Sequence, residues 1–396
     1  MLPTLLIFSV LLLLAILPTL YVYRVLCRQC TSRWRLLCWA PFALIVLVLF
    51  LMVWFVYSAS FMRMFTFLVM CVIMPALVMT IVSGIGWLLA RKWPQAFRWA
   101  NYISYVLCAA TFITMCFGIW WGPKQLTVKQ VDLYCENLPD AFDGYRIVQL
   151  SDLHVGTFGS NTDFVERVVA RTNDLHPDMI VFTGDLVNLR PDEITPFEPV
   201  LSRLTAPDGV YSVFGNHDYC RYGFNKDSYK AVKEWSRLWD AETAMGWRVL
   251  ENDRQAIVRD SSFIVIAGVG NASEPLLYSD ARLEQALRRV PDSAFTILLS
   301  HNPAHWRMEV LEHSSVDLML SGHTHAAQFK IGNSSPASIT YDEWSGLYED
   351  TIHQTPFSPH RYLYVSEGLG GTFPFRLGTK PEIILITLHK KGKTAR

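Results

Sequence analysis

The chain runs to 396 residues, 51% apolar and 18% charged, and its 35 basic side chains balance 35 acidic ones. That length allows two domains, and a formal net charge of zero argues against nucleic acid as a partner. Only Cys135 and Cys220 of the eight cysteines lie beyond residue 121, so the second part of the chain has no disulfide framework.

The balance conceals a split. Residues 1–121 contain no Asp or Glu, and their charges are Arg24, Arg28, Arg33, Arg35, Arg63, Arg91, Lys92 and Arg98. Four apolar runs fill this part, at 2–23, 40–58, 65–90 and 102–121, and none has a charge in its middle. Each approaches the roughly 20 residues that cross a hydrocarbon core of about 30 Å. The pattern predicts an all-α transmembrane region of about four helices over 1–121. Trp54, Trp87, Trp93, Trp99, Trp120 and Trp121 near the run ends suit an interfacial belt. Pro75, Gly84 and Gly86 in the third run mark a kink or a close helix crossing.

Basic residues favour cytoplasmic loops, and the first and third loops carry them. That places the amino terminus and everything after Trp121 outside the cytoplasm, in a multi-pass protein of the cell (inner) membrane. Without an intramembrane carboxylate, Lys or His, the helices read as an anchor rather than an ion path. Cys27-Arg-Gln-Cys30 has metal-ligand spacing but no second pair, and reads as incidental.

A linker over 122–143, with a strand-like patch at 126–133, leads into a domain over 144–396. There the chain alternates. The run Ile147 to Leu150 ends in Ser151-Asp152-Leu153-His154, and the run Met179 to Thr183 ends in Gly184-Asp185-Leu186-Val187-Asn188. Helical spacing follows at 163–171 and 195–204. The run Val210 to Phe214 leads into Gly215-Asn216-His217-Asp218. A helix over 228–245, strands over 255–259 and 263–267, and a helix over 280–290 come next. Phe295 to Ser300 ends at His301, 303–312 is helical, and Leu318 to Ser321 ends at Gly322-His323-Thr324-His325. Two later strands are expected at 362–366 and 383–388. Strands alternating with helices imply an α/β fold with a largely parallel sheet. The loop 330–361 holds Tyr341, Trp344, Tyr348 and Phe357, and the loop 368–376 is glycine-rich with an aromatic tip. A loop as long as 330–361 is usually functional or disordered, and its aromatic content argues against disorder.

Five strands therefore end in metal-ligand residue types, where open α/β sheets bind ligands. Asp, His and Asn suit Mn, Fe or Zn better than Ca or Mg. Seven such side chains exceed one site. Two divalent ions about 3.5 to 4 Å apart, sharing a carboxylate, would use them all and hold a bridging hydroxide for hydrolytic phosphoryl transfer.

With these motifs in order over 144–389, the chain resembles the calcineurin-like metallophosphoesterases, and within them a membrane-anchored bacterial branch. The resemblance implies a four-layer αββα sandwich. It implies that Asp152, His154 and His325 hold one ion, that Asn216, His301 and His323 hold the other, and that Asp185 bridges. His217 would face the substrate, stabilising the phosphate or protonating the leaving oxygen, and Asp218 would either act with it in catalysis or support the ligands. Relatives often have an acid where this chain has Asn188, which would orient His217 more weakly, and glycines where it has Ala326 and Ala327. The other histidines, His176, His305, His313, His353, His360 and His389, read as structural or solvated; Arg376 reads equally as a phosphate contact or a solvated side chain.

The expected activity is hydrolysis of a phosphate ester or diphosphate bond. A tethered domain with Trp344, Tyr348, Phe373 and Phe375 in its loops points to an amphiphilic or lipid-linked phosphorylated substrate. The relatives include UDP-diacylglucosamine hydrolases, whose cytoplasmic nucleotide substrate conflicts with the orientation above. The alternatives are a catalytically silent receptor or scaffold for a phosphorylated ligand, against which the complete ligand set argues, and a working helix bundle with a regulatory phosphoesterase. Oligomeric state is not legible.

Overall fold

The structure, a computed structural model, describes residues 2–28, 31, 36–54, 59–222, 229–273, 279–350 and 360–391. Cys30, Arg33, Arg35, His353 and Phe357 lie outside the described residues. The chain divides into two compact units, Met1–Gly122 with Phe373–Leu377, and Pro123–Thr372 with Gly378–Arg396.

The first unit is helical, as apolar surroundings require when every backbone N–H and C=O must bond within its own segment. Its helices are α1 (Leu2–Tyr21), α2 (Ala40–Trp54), α3 (Ala59–Phe67), α4 (Met74–Leu89) and α5 (Ala96–Trp120). Among the described residues, two continuous helical stretches, Ser60–Leu89 and Ala96–Lys124, are long and apolar enough to cross a membrane, while Leu12–Leu26 and Ala40–Leu51 are shorter. A π-helical stretch, Leu68–Ile73, joins α3 to α4 just before Pro75. Proline cannot donate to the preceding turn and its ring crowds it, and the widened turn relieves both. Gly86 marks a close crossing, since a Cβ there would lie 2.1 Å from the Cβ of Ala100. Polar groups tie the helices: the hydroxyls of Tyr21 and Ser83 lie 2.8 Å apart, and Ser83 donates to Asn101 Oδ1 at 2.5 Å.

The second unit holds two six-stranded sheets. The first has β1 (Thr127–Cys135), β2 (Tyr145–Leu150), β3 (Met179–Phe182), β4 (Val210–Ser212), β5 (Arg248–Val249) and β12 (Glu382–Lys390), in the order β1-β12-β2-β3-β4-β5. The second has β6 (Asp253–Arg259), β7 (Ser262–Gly268), β8 (Thr296–Leu299), β9 (Leu318–Ser321), β10 (Gly346–Asp350) and β11 (Arg361–Val365), in the order β10-β11-β9-β8-β7-β6. Strands β2 to β5 run parallel, as do β7, β8, β9 and β11. The pairings β12/β2, β6/β7 and β10/β11 are antiparallel, so both sheets are mixed, while the remaining pairings keep the largely parallel character that the alternation implied. The strand-like patch of the linker is β1, which pairs along its whole length with β12.

Period-two alternation divides the apolar residues between layers. Ile147, Val181 and Ile386 of the first sheet meet Ile264, Ile297 and Leu320 of the second in one buried cluster. Their neighbours Val148, Ile180 and Leu385 turn outward against Phe164, Val165 and Val168 of α6 (Asp163–Asp174) and Leu238 of α7 (Tyr229–Ala244). On the far side Ala267, Leu298 and Met319 pack against Leu283, Trp306 and Val310. Helices therefore cover both outer faces, and the unit has the four layers that the resemblance implied. The helix expected at 195–204 shrinks to Glu198–Leu201 after a 3-10 turn at Pro191–Ile194. Pro196 and Pro199 lack the N–H that a longer helix needs. The helix expected at 280–290 shortens to Leu283–Ala286.

Candidate metal centre

Strands β2, β3 and β4 of one sheet and β8 and β9 of the other end at the same place, so the polar residues that follow them converge. Asp152, His154, Asp185 and His325 bring one ligand atom each within 4.8 Å of one another. Asp185, His301 and His323 form a second such group, and Asp185 belongs to both. Its Oδ2 lies 3.5 Å from His154 Nε2 and 3.2 Å from His301 Nε2. Asn216 Oδ1 lies 3.2 Å from His301 Nε2, and His325 Nε2 lies 3.3 Å from Asp152 Oδ1. The backbone carries strain here. Asp152, His154, Asp185, His323 and His325 all have left-handed φ, from 48° to 75°. Such conformations cost of order 1–3 kcal/mol each and persist where surrounding contacts impose them. Ala326 and Ala327 share this conformation, at φ 48° and 50°, although it favours glycine.

Hydrogen bonds fix which nitrogens face inward. His301 Nδ1 lies 2.7 Å from the Thr183 carbonyl, an acceptor, so Nδ1 carries a proton and Nε2 points into the cluster. There Nε2 meets Asp185 Oδ2, Asn216 Oδ1 and, at 3.2 Å, His323 Nδ1. His154 Nε2 and His325 Nε2 oppose each other at 3.3 Å. A proton can bridge one such pair of acceptors; a divalent cation in each group satisfies them together, and the nitrogen and carboxylate donor set suits one.

The charges agree. Burial drives the imidazoles of His154 and His323 down to about 3, so both stay neutral with lone pairs available. Burial pushes Asp152 up to about 6. Burial also opposes charge on His301, but the carboxylates of Asp185 and Asp152 outweigh it and lift this imidazole to about 9. Asp185 is held well below the usual carboxylate range despite its burial, chiefly by His301 and His217. The cluster thus favours positive charge at its centre, which metal ions supply.

Around this core the remaining expected residues take distinct places. His217 stands at the edge, its N–H donating to Asp185 Oδ1 at 2.9 Å and its ring edge-on to His154 with centroids 4.9 Å apart. The backbone carbonyl of Asn188 lies 2.6 Å from His217 Nδ1, while its side-chain amide donates to Thr157 Oγ1 at 2.9 Å. Asp218 does not face the cluster. Its carboxylate accepts the N–H groups of Asp185, Leu186, Val187 and Gly215 at 2.6 to 3.1 Å, so it fixes the two loops that carry Asp185 and Asn216.

Several partners were not singled out by sequence. Tyr341 Oη lies 2.8 Å from His323 Nε2, and Tyr222 Oη accepts from Asn216 Nδ2 at 3.1 Å while its ring packs on His217 at 4.6 Å. The aromatic content of 330–361 pointed toward Tyr341 but gave no partner. Trp344 and Tyr348 brace that loop, Trp344 O accepting from Thr324 Oγ1 and Tyr348 Oη from the Trp344 N–H. Phe375 and Arg376 are buried and group with the first unit, so Arg376 is not solvated. His305 is buried between Ser300 and Glu309, and His389 stacks on Tyr134, both outside the cluster.

Residues 145–327 match the family of calcineurin-like phosphoesterases. The chain is 34% identical over 271 residues to the uncharacterized metallophosphoesterase YkuE of Bacillus subtilis, an alignment that covers 67% of this chain and 86% of that protein. It is 28% identical to the transmembrane protein with metallophosphoesterase domain of Danio rerio, covering 71% of this chain and 61% of that one. Against the UDP-2,3-diacylglucosamine pyrophosphatase LpxG of Chlamydia trachomatis it is 29% identical, covering 71% of this chain and 94% of that protein.

Proposed function

Because the chain belongs to the calcineurin-like phosphoesterase family, and is thereby a phosphoric ester hydrolase, we propose that it is a membrane-anchored dinuclear enzyme cleaving a phosphate ester or diphosphate bond in a lipid-linked substrate. The observation that carries the reading is the sharing of Asp185 between two overlapping groups of ligand atoms. Asp152, His154, Asp185 and His325 would hold one divalent ion, and Asp185, Asn216, His301 and His323 the other, with Mn, Fe or Zn favoured by the mixed nitrogen and oxygen donors. Such a pair, when bound, polarises phosphoryl oxygens and lowers the pKa of water.

The chain's own groups do the rest. Asp185 is positioned to serve both sites because Asp218 pins its backbone N–H and His217 binds its Oδ1. His217 commits Nδ1–H to the Asn188 carbonyl, which leaves Nε2 facing outward, where in the imidazolium form it carries the second proton that passes to the departing oxygen. Neutral His154 and His323 keep their lone pairs turned inward.

Two observations support a lipid-linked substrate: the helical stretches Ser60–Leu89 and Ala96–Lys124, and the similarity to a pyrophosphatase named for a diacylated sugar nucleotide. The anchor is proposed to comprise about four helices, with the catalytic unit outside the cytoplasm.

The test uses the detergent-solubilised full chain, loaded in turn with Mn, Fe, Zn or Mg. It is assayed on p-nitrophenyl phosphate, its diester, a phospholipid panel and a lipid-linked diphosphate. Asp185→Asn is expected to abolish turnover on every substrate, with the lipids preferred by wild type. Faster hydrolysis of soluble nucleotide diesters than of any micellar lipid would remove the lipid assignment, and turnover that survives in Asp185→Asn would remove the site.

A further inference from the structure

Glu193 lies eight residues beyond Asp185 and outside every motif the sequence presents, yet its carboxylate is committed to one short stretch of backbone. Oε2 accepts the Asn188 N–H at 2.6 Å, and Oε1 accepts the Leu189 N–H at 3.1 Å. The second bond matters because the Leu189 N–H and the Asn188 C=O belong to the same peptide group. That group is planar, with its donor and acceptor on opposite edges. On the far edge, the Asn188 carbonyl meets His217 Nδ1 at 2.6 Å. A continuous line of bonds therefore runs from a half-buried carboxylate, through one peptide, to the imidazole at the edge of the metal cluster.

We infer that Glu193 is a positioning residue for His217, acting through the 188–189 peptide to hold Nδ1–H on the Asn188 carbonyl and so aim Nε2, which carries the transferred proton in the imidazolium form, toward the reacting phosphate. The physical basis is cooperative. A carboxylate on the N–H edge polarises the peptide and makes its carbonyl the better acceptor, and each bond in such a line strengthens the next. The same two bonds fix the orientation of the peptide, since rotating it to remove the carbonyl from His217 would break the bond to Glu193. The residue has other restraints, from the rings of Tyr222 at 4.6 Å and His154 at 4.9 Å and from the bond of its backbone N–H to Asp185. None touches Nδ1, so none selects the tautomer. Sequence alone offers no path to this pairing: Glu193 sits in the Pro191–Ile194 turn, and only that turn brings its side chain back under residues 188 and 189.

The inference rests on the proton-transfer role proposed for His217, and its test separates the two. In the full-length protein labelled with ¹⁵N-histidine in detergent at about pH 8, where free histidine is neutral, the His217 signal is identified by its loss in His217→Asn. Wild type is expected to show the Nδ1–H tautomer, and Glu193→Ala and Glu193→Gln a shift toward Nε2–H. The near-isosteric Gln variant carries the test if the Ala variant does not fold. A tautomer unchanged in a folded Glu193 variant overturns the inference. This readout requires neither metal nor turnover, so it stands even if the hydrolase reading fails. The kinetic arm compares a p-nitrophenyl ester, whose leaving group needs no proton, with a matched alkyl ester, whose leaving group does. Glu193→Gln is expected to lower kcat/KM on the alkyl ester about tenfold, the scale on which outer partners of reactive groups act, and to spare the p-nitrophenyl ester. Equal losses on the two esters would reduce Glu193 to a brace of the fold.

Discussion

Asp218 closes the Gly215-Asn216-His217-Asp218 motif without facing the cluster: four backbone N–H groups occupy its carboxylate, and the positions of its neighbours depend on that. A half-buried acid whose proton does matter is Glu251. Its Oε1 accepts from Tyr219 at 2.5 Å, beside the Arg221–Asp280 ion pair. Burial pushes Glu251 up to about 7 from 4.5, with Asp280 reinforcing the shift while Tyr219 and Arg221 oppose it. Between those values the folded chain holds a proton that the unfolded chain has released, so stability falls as pH rises through that window. Glu251→Gln should flatten this decline. Thermal unfolding of the two proteins from about pH 4.5 to about pH 7.5 checks it, and parallel Tm profiles would show that Glu251 does not titrate there.

At the scale of elements, the site depends on how closely one strand end approaches another. A Cβ at Gly322, just after β9, would sit 2.0 Å from Ser151 Oγ and 2.2 Å from Asp152 Oδ2 at the end of β2. Neither neighbour can withdraw, because Asp152 also accepts the His323 N–H at 3.0 Å and Ser151 donates to Asp152 at 2.6 Å. Gly322→Ala is therefore expected to cost about 1–3 kcal/mol through overpacking and to lower metal content at limiting metal about tenfold or more. Differential scanning fluorimetry and bound-metal analysis report both, and wild-type metal content in the variant would contradict the fit. The loop 330–361 was marked in the sequence as functional from its aromatics, and it does reach the site. Ser335 Oγ bonds the Ala326 carbonyl and Tyr341 meets His323, contacts that no periodicity encodes. Strand β1 was read inside a linker because its partner, β12, lies some 250 residues away, and pairing at that separation leaves no local mark.

The whole molecule divides as its charge does: the acid-free part falls in one compact unit and the metal cluster in the other. The distribution of arginines and lysines between loops sets the expected orientation. Protease added to intact cells should cleave the second unit, whereas protection until the membrane is opened would place that unit in the cytoplasm. The latter result would suit a substrate like the sugar nucleotide in the name of the Chlamydia trachomatis relative.

The sequence by itself determined the split in composition, the strand ends and the ligand residue types, because apolar runs and the polar residues that interrupt them are local features. It also carried the family, to which the 34% identity with the Bacillus subtilis relative attests. The resemblance already implied that Asp185 bridges; only the tertiary structure decided that Asp218 braces loops rather than facing the cluster, and that Glu193 reaches the peptide behind His217. Each of those is a contact between residues whose spacing in the chain obeys no period. It arises because two sheets, packed face to face, bring five strand ends to one place and bury them deeply enough that polar groups there are driven to pair.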